Sequence, residues 1–140
     1  MNIRVLALLF LFLYQGIHFS VSAQECKFGS EEAFDATAKA LSEAKSCSSA
    51  VAIMHNCAWG SSADSQLAPI AIEKCEESFY EKLSESGKER YGQEMQLCAY
   101  QYAKKEGTIS ISEAALCQLD VAAQFAANPG TAEKPLPRQF

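Results

Sequence analysis

Apolar residues recur every three or four positions along most of the chain after residue 30, which is the spacing of one face of an α-helix. Five such stripes follow one another. Their members are Phe34, Ala38, Leu41; Ala50, Ile53, Met54, Cys57; Ile72, Cys75, Phe79, Leu83; Tyr91, Met95, Cys98, Tyr102; and Ala114, Cys117, Val121, Phe125. No segment alternates polar and apolar residues for long enough to form a strand. The pattern therefore predicts an all-α fold, a small bundle of about five helices.

Capping residues and helix breakers predict where these helices begin and end. Ser30 precedes two glutamates, which is typical of a helix N-terminus, and Pro69 is tolerated only in a first turn. Ser110 with Glu113 forms a capping-box pattern just after Gly107. The first two predicted helices cover 30–45 and 50–57. The third begins between residues 64 and 69 and ends near residue 86. The fourth lies between residues 87 and 107, and the fifth covers 110–127.

The first 23 residues carry the three-part pattern of a secretory signal peptide: Arg4, an apolar run over 5–14, and the small-residue ending Val21-Ser22-Ala23. A membrane anchor is the alternative, but it would need about 20 apolar residues, and Gln15 and Gly16 interrupt this run. The sequence therefore predicts a signal peptide over 1–23, a helical domain over 24–128 and a flexible C-terminal tail over 129–140. A secreted or periplasmic protein follows, with no membrane contact after cleavage.

Composition narrows the class further. A chain of 140 residues with 49% apolar and 21% charged residues has the make-up of one globular domain. Its net charge of −5 argues against nucleic acid as a partner, because phosphate binding needs clustered basic residues.

All six cysteines lie in the part predicted to be exported. They are Cys26, Cys47, Cys57, Cys75, Cys98 and Cys117. An even number in a small exported chain predicts disulfides. Zinc is not predicted, because structural zinc sites use cysteines two to four residues apart and no pair here is that close.

The spacing of the cysteines suggests how they pair. Cys98 and Cys117 are nearly equidistant from Gly107, so a helical hairpin would place them opposite each other; Cys75 with Cys98, symmetric about Gly87, is the rival. If the 98–117 disulfide forms, a disulfide between residues 57 and 75 would close the loop around residue 59. The pair 26–47 is then left by elimination. That last pair conflicts with a straight helix over 30–45, whose ends would lie about 22 Å apart.

Residues suited to catalysis are few. After the signal peptide the chain has one histidine, His55, and no glycine-rich phosphate loop, G-x-S-x-G motif or metal-binding doublet. The sequence predicts no enzyme, no cofactor and no metal site.

A row of glutamates is the most informative polar pattern. Its members are Glu73, Glu77, Glu81 and Glu85, and Glu89 extends it. Like charges four residues apart on a helix repel each other. Such a row is typical either of a solvated acidic face or of a surface for a cationic protein partner.

Trp59 is the candidate aromatic anchor for that partner, because it lies in a Gly/Ser loop. A tryptophan packed over a nearby disulfide is the alternative.

The run from Tyr91 through Cys98, the Gly107-Thr108 loop and Cys117 resembles small bacterial exported domains related to the LprI lysozyme inhibitors. Those domains place an aromatic residue before one cysteine, a glycine loop after it and a second cysteine on the returning helix. This chain has Glu94-Met95-Gln96-Leu97 where the family carries an Arg-Asp pair. The resemblance implies a helical, disulfide-linked periplasmic or cell-surface module, and an acidic face would suit a cationic lysozyme-type target.

The sequence thus predicts an exported, non-enzymatic interaction module, an inhibitor of a cationic lysozyme-type hydrolase. Two alternatives are a carrier of small apolar molecules and a structural envelope protein without a separate activity. The residues predicted to line a carrier's cavity are Phe34, Met54, Phe79, Met95, Tyr102 and Phe125.

Overall fold

The computed structural model describes residues 26, 31–103 and 105–129. Five α-helices and one 3-10 turn make up the fold: α1 (Glu31–Ser42), α2 (Cys47–Asn56), α3 (Asp64–Phe79), the 3-10 turn Tyr80–Lys82, α4 (Glu85–Tyr102) and α5 (Thr108–Ala127). Within these residues no strand occurs, and the predicted all-α bundle is confirmed. The predicted signal peptide 1–23 and the tail after residue 129 lie outside the described residues.

Several helix boundaries differ from the predicted ones: α1 ends at Ser42 instead of near residue 45, and at others serine side chains act at other places. The third helix ends at Phe79 instead of near residue 86, and Ser84 caps α4 by accepting a hydrogen bond of 3.1 Å from the Gly87 N–H. The capping box predicted at Ser110 does not start α5. Its hydroxyl instead donates to the carbonyl oxygen of Gly107 at 2.6 Å, and α5 begins at residue 108.

The segment 46–49, predicted to be only a break between helices, forms the start of α2. The Ser46 side chain accepts from the Ser49 N–H, and the Ser49 hydroxyl accepts from the Ser46 N–H. This reciprocal pair satisfies two backbone donors that a helix N-terminus otherwise leaves without an intrahelical partner.

Helix α3 lies at the centre of the bundle and packs against α1, α2 and α5. Helix α5 also contacts α2 and packs against α4, whereas α3 and α4 approach each other less closely than either approaches α5. The fully enclosed side chains of the core include Leu41, Met54, Leu67, Phe79 and Leu119. α4 is therefore attached to the rest of the bundle mainly through α5.

Three disulfides crosslink the helices. Cys98–Cys117 joins α4 to α5 with a Cα–Cα distance of 5.7 Å, as predicted. The other two predicted pairs, 57–75 and 26–47, are wrong, as is the rival 75–98, because Cys26 bonds Cys57 and Cys47 bonds Cys75.

The direction of α2 explains these two pairs. Cys47 and Cys57 lie at opposite ends of α2, about 15 Å apart along its axis. Helix α2 runs antiparallel to α3, so its first residue comes beside Cys75, and Cys57 is left at the other end to bond Cys26.

Among the described residues, no helix is long and apolar enough to cross a membrane.

Candidate functional site

The predicted row of glutamates does not lie on one helix. Glu73 and Glu77 are on α3, Glu81 is in the 3-10 turn and Glu85 is in the first turn of α4. The prediction of a single continuous helical row is therefore wrong, because α3 ends at Phe79. All four side chains are nonetheless exposed; Glu77, Glu81 and Glu85 lie near the turn from α3 to α4, and Glu73 lies about 9 Å before the end of α3.

Nearby lysines offset part of this negative charge. Lys74 Nζ lies 2.9 Å from a carboxylate oxygen of Glu77, and Lys88 Nζ lies 3.8 Å from Glu85. Within the described residues, no ion pair involves Glu73 or Glu81. These two carboxylates are the strongest candidates for contact with a cationic group on another molecule.

Trp59 is half-buried and packs against the core instead of projecting from its loop. Its ring meets Phe34 edge to face, with 6.5 Å between the ring centroids. The structure thus places Trp59 at the end of the bundle opposite the glutamates. It does not bring the two predicted parts of a partner site together.

The buried side chain next to this loop is Asp64, the first residue of α3, which has no exposed surface. Its carboxylate accepts from the Trp59 N–H at 2.9 and 3.1 Å and from the Ser61 N–H at 3.3 Å. The Ser112 hydroxyl of α5 donates to it at 2.6 Å. Asp64 therefore fixes both the loop before α3 and the start of α5.

An apolar groove opens at the same end of the bundle, between α3 and α4 and above α5. Its volume is about 630 Å³ and it is open to solvent. Its walls carry mostly small side chains: Ala68 and Pro69 from α3, Ala99 from α4, Ala103 directly after α4, and Ala114 from α5. Of the six residues predicted to line a ligand cavity, only Tyr102 lines this groove, while Met54, Phe79 and Phe125 are buried in the core.

Aromatic residues fill the space between α3 and α4 at the other end. The Phe79 and Tyr91 rings lie 5.3 Å apart, and both contact Phe125, at 5.8 and 5.1 Å. Large rings thus close one end of the space between the two helices, and alanines leave the other end open. Ala99 and Ala103 belong to none of the apolar stripes of the sequence, because both are exposed and lie beside the core positions.

Tyr91 also holds a buried polar contact in this cluster. Its hydroxyl donates to Glu76 Oε1 at 2.7 Å, and only 4% of the residue is exposed. Burial, followed by the hydrogen bond and charge of Glu76, raises the pKa of Tyr91 well above its ordinary value of 10.0.

Replacing Tyr91 by phenylalanine should lower the free energy of unfolding at pH 7 by about 1 kcal/mol, the net value of a typical hydrogen bond. Because the raised pKa keeps the folded phenol protonated while the unfolded one ionises near pH 10, this contribution is complete below pH 10 and is lost as the pH rises further. The difference in the free energy of unfolding between wild type and Tyr91→Phe should therefore narrow above pH 10, by at most about 1.4 kcal/mol per pH unit. Urea unfolding between pH 7 and 11 measures it, with Tyr100→Phe at an exposed site as the control; a constant gap would contradict the assignment.

His55, the one histidine in the described part of the chain, pairs with an acid on another helix. Its Nε2 lies 2.7 Å from Asp120 Oδ1, and both side chains are largely exposed. The pair links α2 to α5 across a shallow depression that Leu116 and Val121 also line. No group of three or more potential metal ligands occurs among the described residues.

No family model, curated protein or solved structure matches this chain.

Sequence reasoning did not identify Asp64, Ser112 or the groove as features of interest. A signal for Asp64 was available, since an acid directly after a Gly/Ser loop and before an apolar stripe is typical of a helix start. Ala99 and Ala103, four residues apart beside a cysteine stripe, were the corresponding signal for the groove.

Proposed function

We propose that this chain is an exported, non-enzymatic interaction module that binds a cationic protein partner, and that a cationic lysozyme-type hydrolase is such a partner. The observation that carries the proposal is the exposed carboxylates of the second half of α3 and of the turn that follows it, of which Glu73 and Glu81 have no ion pair within the described residues. The resemblance to LprI-type domains around Cys98 and Cys117 agrees with it.

The position of these acids is unfavourable for the helix itself. Glu77 lies in the last turn of α3, where the helix dipole disfavours negative charge, and no basic residue lies in that turn. Glu73 and Glu77 are also four residues apart, a spacing at which like charges repel. The repulsion and the dipole are offset only in part by Lys74, so these acids contribute little to the stability of α3, which agrees with a role in binding.

The disulfide-linked bundle supports such a role as well. Cys75 lies two residues after Glu73 in α3, and its disulfide with Cys47 holds α3 against α2. A rigid surface loses little conformational entropy on binding, and preset charges speed encounter with an oppositely charged protein.

Binding to a purified cationic lysozyme at low ionic strength tests the proposal. We expect saturable, salt-sensitive binding by wild type and about tenfold weaker binding by Glu73→Gln/Glu81→Gln, since two exposed charge pairs contribute roughly 1–2 kcal/mol together. The same double variant should unfold at equal or slightly higher urea concentration, because it removes repulsion within α3.

The matched control is Glu31→Gln/Glu32→Gln, which removes the same charge from the exposed first turn of α1. It should leave lysozyme affinity within about twofold of wild type if contact with the partner is local to the α3–α4 turn. Absence of wild-type binding, or equal weakening by both double variants, would refute the proposed surface.

A further inference from the structure

The groove between α3 and α4 has the dimensions and lining of a small-molecule site. Its volume of about 630 Å³ falls within the roughly 300–1,000 Å³ typical of such sites. Along α5 it extends from Thr108 to Gln118, which is about 15 Å of helix. Its length and apolar walls suit an extended hydrocarbon chain better than a compact polar molecule.

The charge of the groove differs from that of the protein as a whole. The chain carries a net charge of −5, yet no carboxylate is among the described residues that line the groove. Lys105, in the loop between α4 and α5, is the one charged residue of this lining. The groove is thus an apolar surface with a cation at one end, on an otherwise acidic protein.

Lys105 is held at this end by contacts that a ligand could exchange. Its ammonium lies 4.4 Å from the centre of the Tyr102 ring and 3.1 Å from Glu113 Oε2, and 56% of its side chain is exposed. An exposed ion pair contributes little to stability, so an anionic group can replace Glu113 at small cost.

We propose that this groove binds a single-chain amphiphile with an anionic head, such as a fatty acid. The hydrocarbon chain lies along α5 between Ala68 and Ala99, and the carboxylate pairs with Lys105. This site is separate from the acidic turn between α3 and α4, so the proposal does not depend on the cationic partner. It adds a ligand-carrying function to the module.

Titration with laurate, followed by calorimetry below the concentration at which laurate forms micelles, tests the proposal. Dodecyltrimethylammonium, with a tail of the same length and the opposite charge, is the matched ligand. We expect one laurate per chain and at least about tenfold weaker binding of the cationic amphiphile, because only the anion can pair with Lys105. Lys105→Gln should lower laurate affinity about fivefold and remove most of the preference between the two heads.

Variants that fill the groove locate the ligand. Ala99→Trp and Ala103→Trp each add a large side chain at an exposed position of the wall and should weaken laurate binding at least tenfold, on the order expected when a site is blocked. Ala52→Trp, on the exposed side of α2 outside the groove, is the control and should bind as wild type does. Far-UV circular dichroism checks that each variant folds.

Three results would overturn the proposal. Equal affinity for laurate and for dodecyltrimethylammonium would show that Lys105 does not favour an anionic head over a cationic one. Equal weakening by Ala52→Trp would place the ligand elsewhere. A concentration-dependent dimer that Ala99→Trp dissociates, seen by light scattering, would identify a second copy of the chain as the occupant of the groove.

Discussion

Replacing Asp64 by alanine should lower the free energy of unfolding by about 3–5 kcal/mol, one of the largest effects of any single substitution in this chain. The carboxylate is fully buried and accepts from two backbone N–H groups and from the Ser112 hydroxyl. Alanine would leave these donors without their acceptor and create a small cavity. Urea unfolding followed by circular dichroism measures the loss.

Two variants separate this effect from a general loss of charge. Asp35→Ala removes an exposed acid from α1 and should change stability by less than about 0.5 kcal/mol. Ser112→Ala removes one donor only, and combining it with Asp64→Ala should cost less than the sum of the two single changes, because both remove the same hydrogen bond. A loss below about 1 kcal/mol for Asp64→Ala would contradict the role assigned to this network.

Removing the Cys47–Cys75 disulfide with two alanines should lower the free energy of unfolding by about 3–4 kcal/mol. The bond closes a segment of 28 residues and joins α2 to the central helix α3, where Cys75 has no exposed surface. Without it the unfolded chain gains conformational freedom, and α2 loses its fixed position on the core. Thermal and urea unfolding of the double variant, with the other two disulfides kept oxidised, measure the effect.

The pairing that underlies this prediction can be checked chemically. Trypsin leaves Cys47 and Cys57 on one peptide, and cyanogen bromide then divides that peptide after Met54. Mass spectrometry should find the Cys47 fragment linked to the Cys75 peptide and the Cys57 fragment linked to the Cys26 peptide. The opposite linkages would restore the pairing expected from spacing alone and contradict the structure.

The sequence alone determined the helical class, the approximate positions of the five helices and the Cys98–Cys117 bond. Each of these depends on local information. Apolar residues three and four positions apart define one face of a helix. Two cysteines at nearly equal distances on either side of a glycine turn predict a short helical hairpin. The N-terminal pattern and the cysteine count are local in the same sense, and they support the prediction of export.

Only the tertiary structure decided the other two disulfides, the break in the glutamate row and the existence of the groove. The pairing of Cys47 with Cys75 follows from α2 running antiparallel to α3. The row breaks because Ser84 caps a new helix after Phe79. The groove exists because rings at Phe79 and Tyr91 close one end of the space between α3 and α4 while Ala99 and Ala103 leave the other end open. Each of these features depends on which helices become neighbours. Packing between residues far apart in the chain decides this, and the spacing of residues within one segment does not predict it.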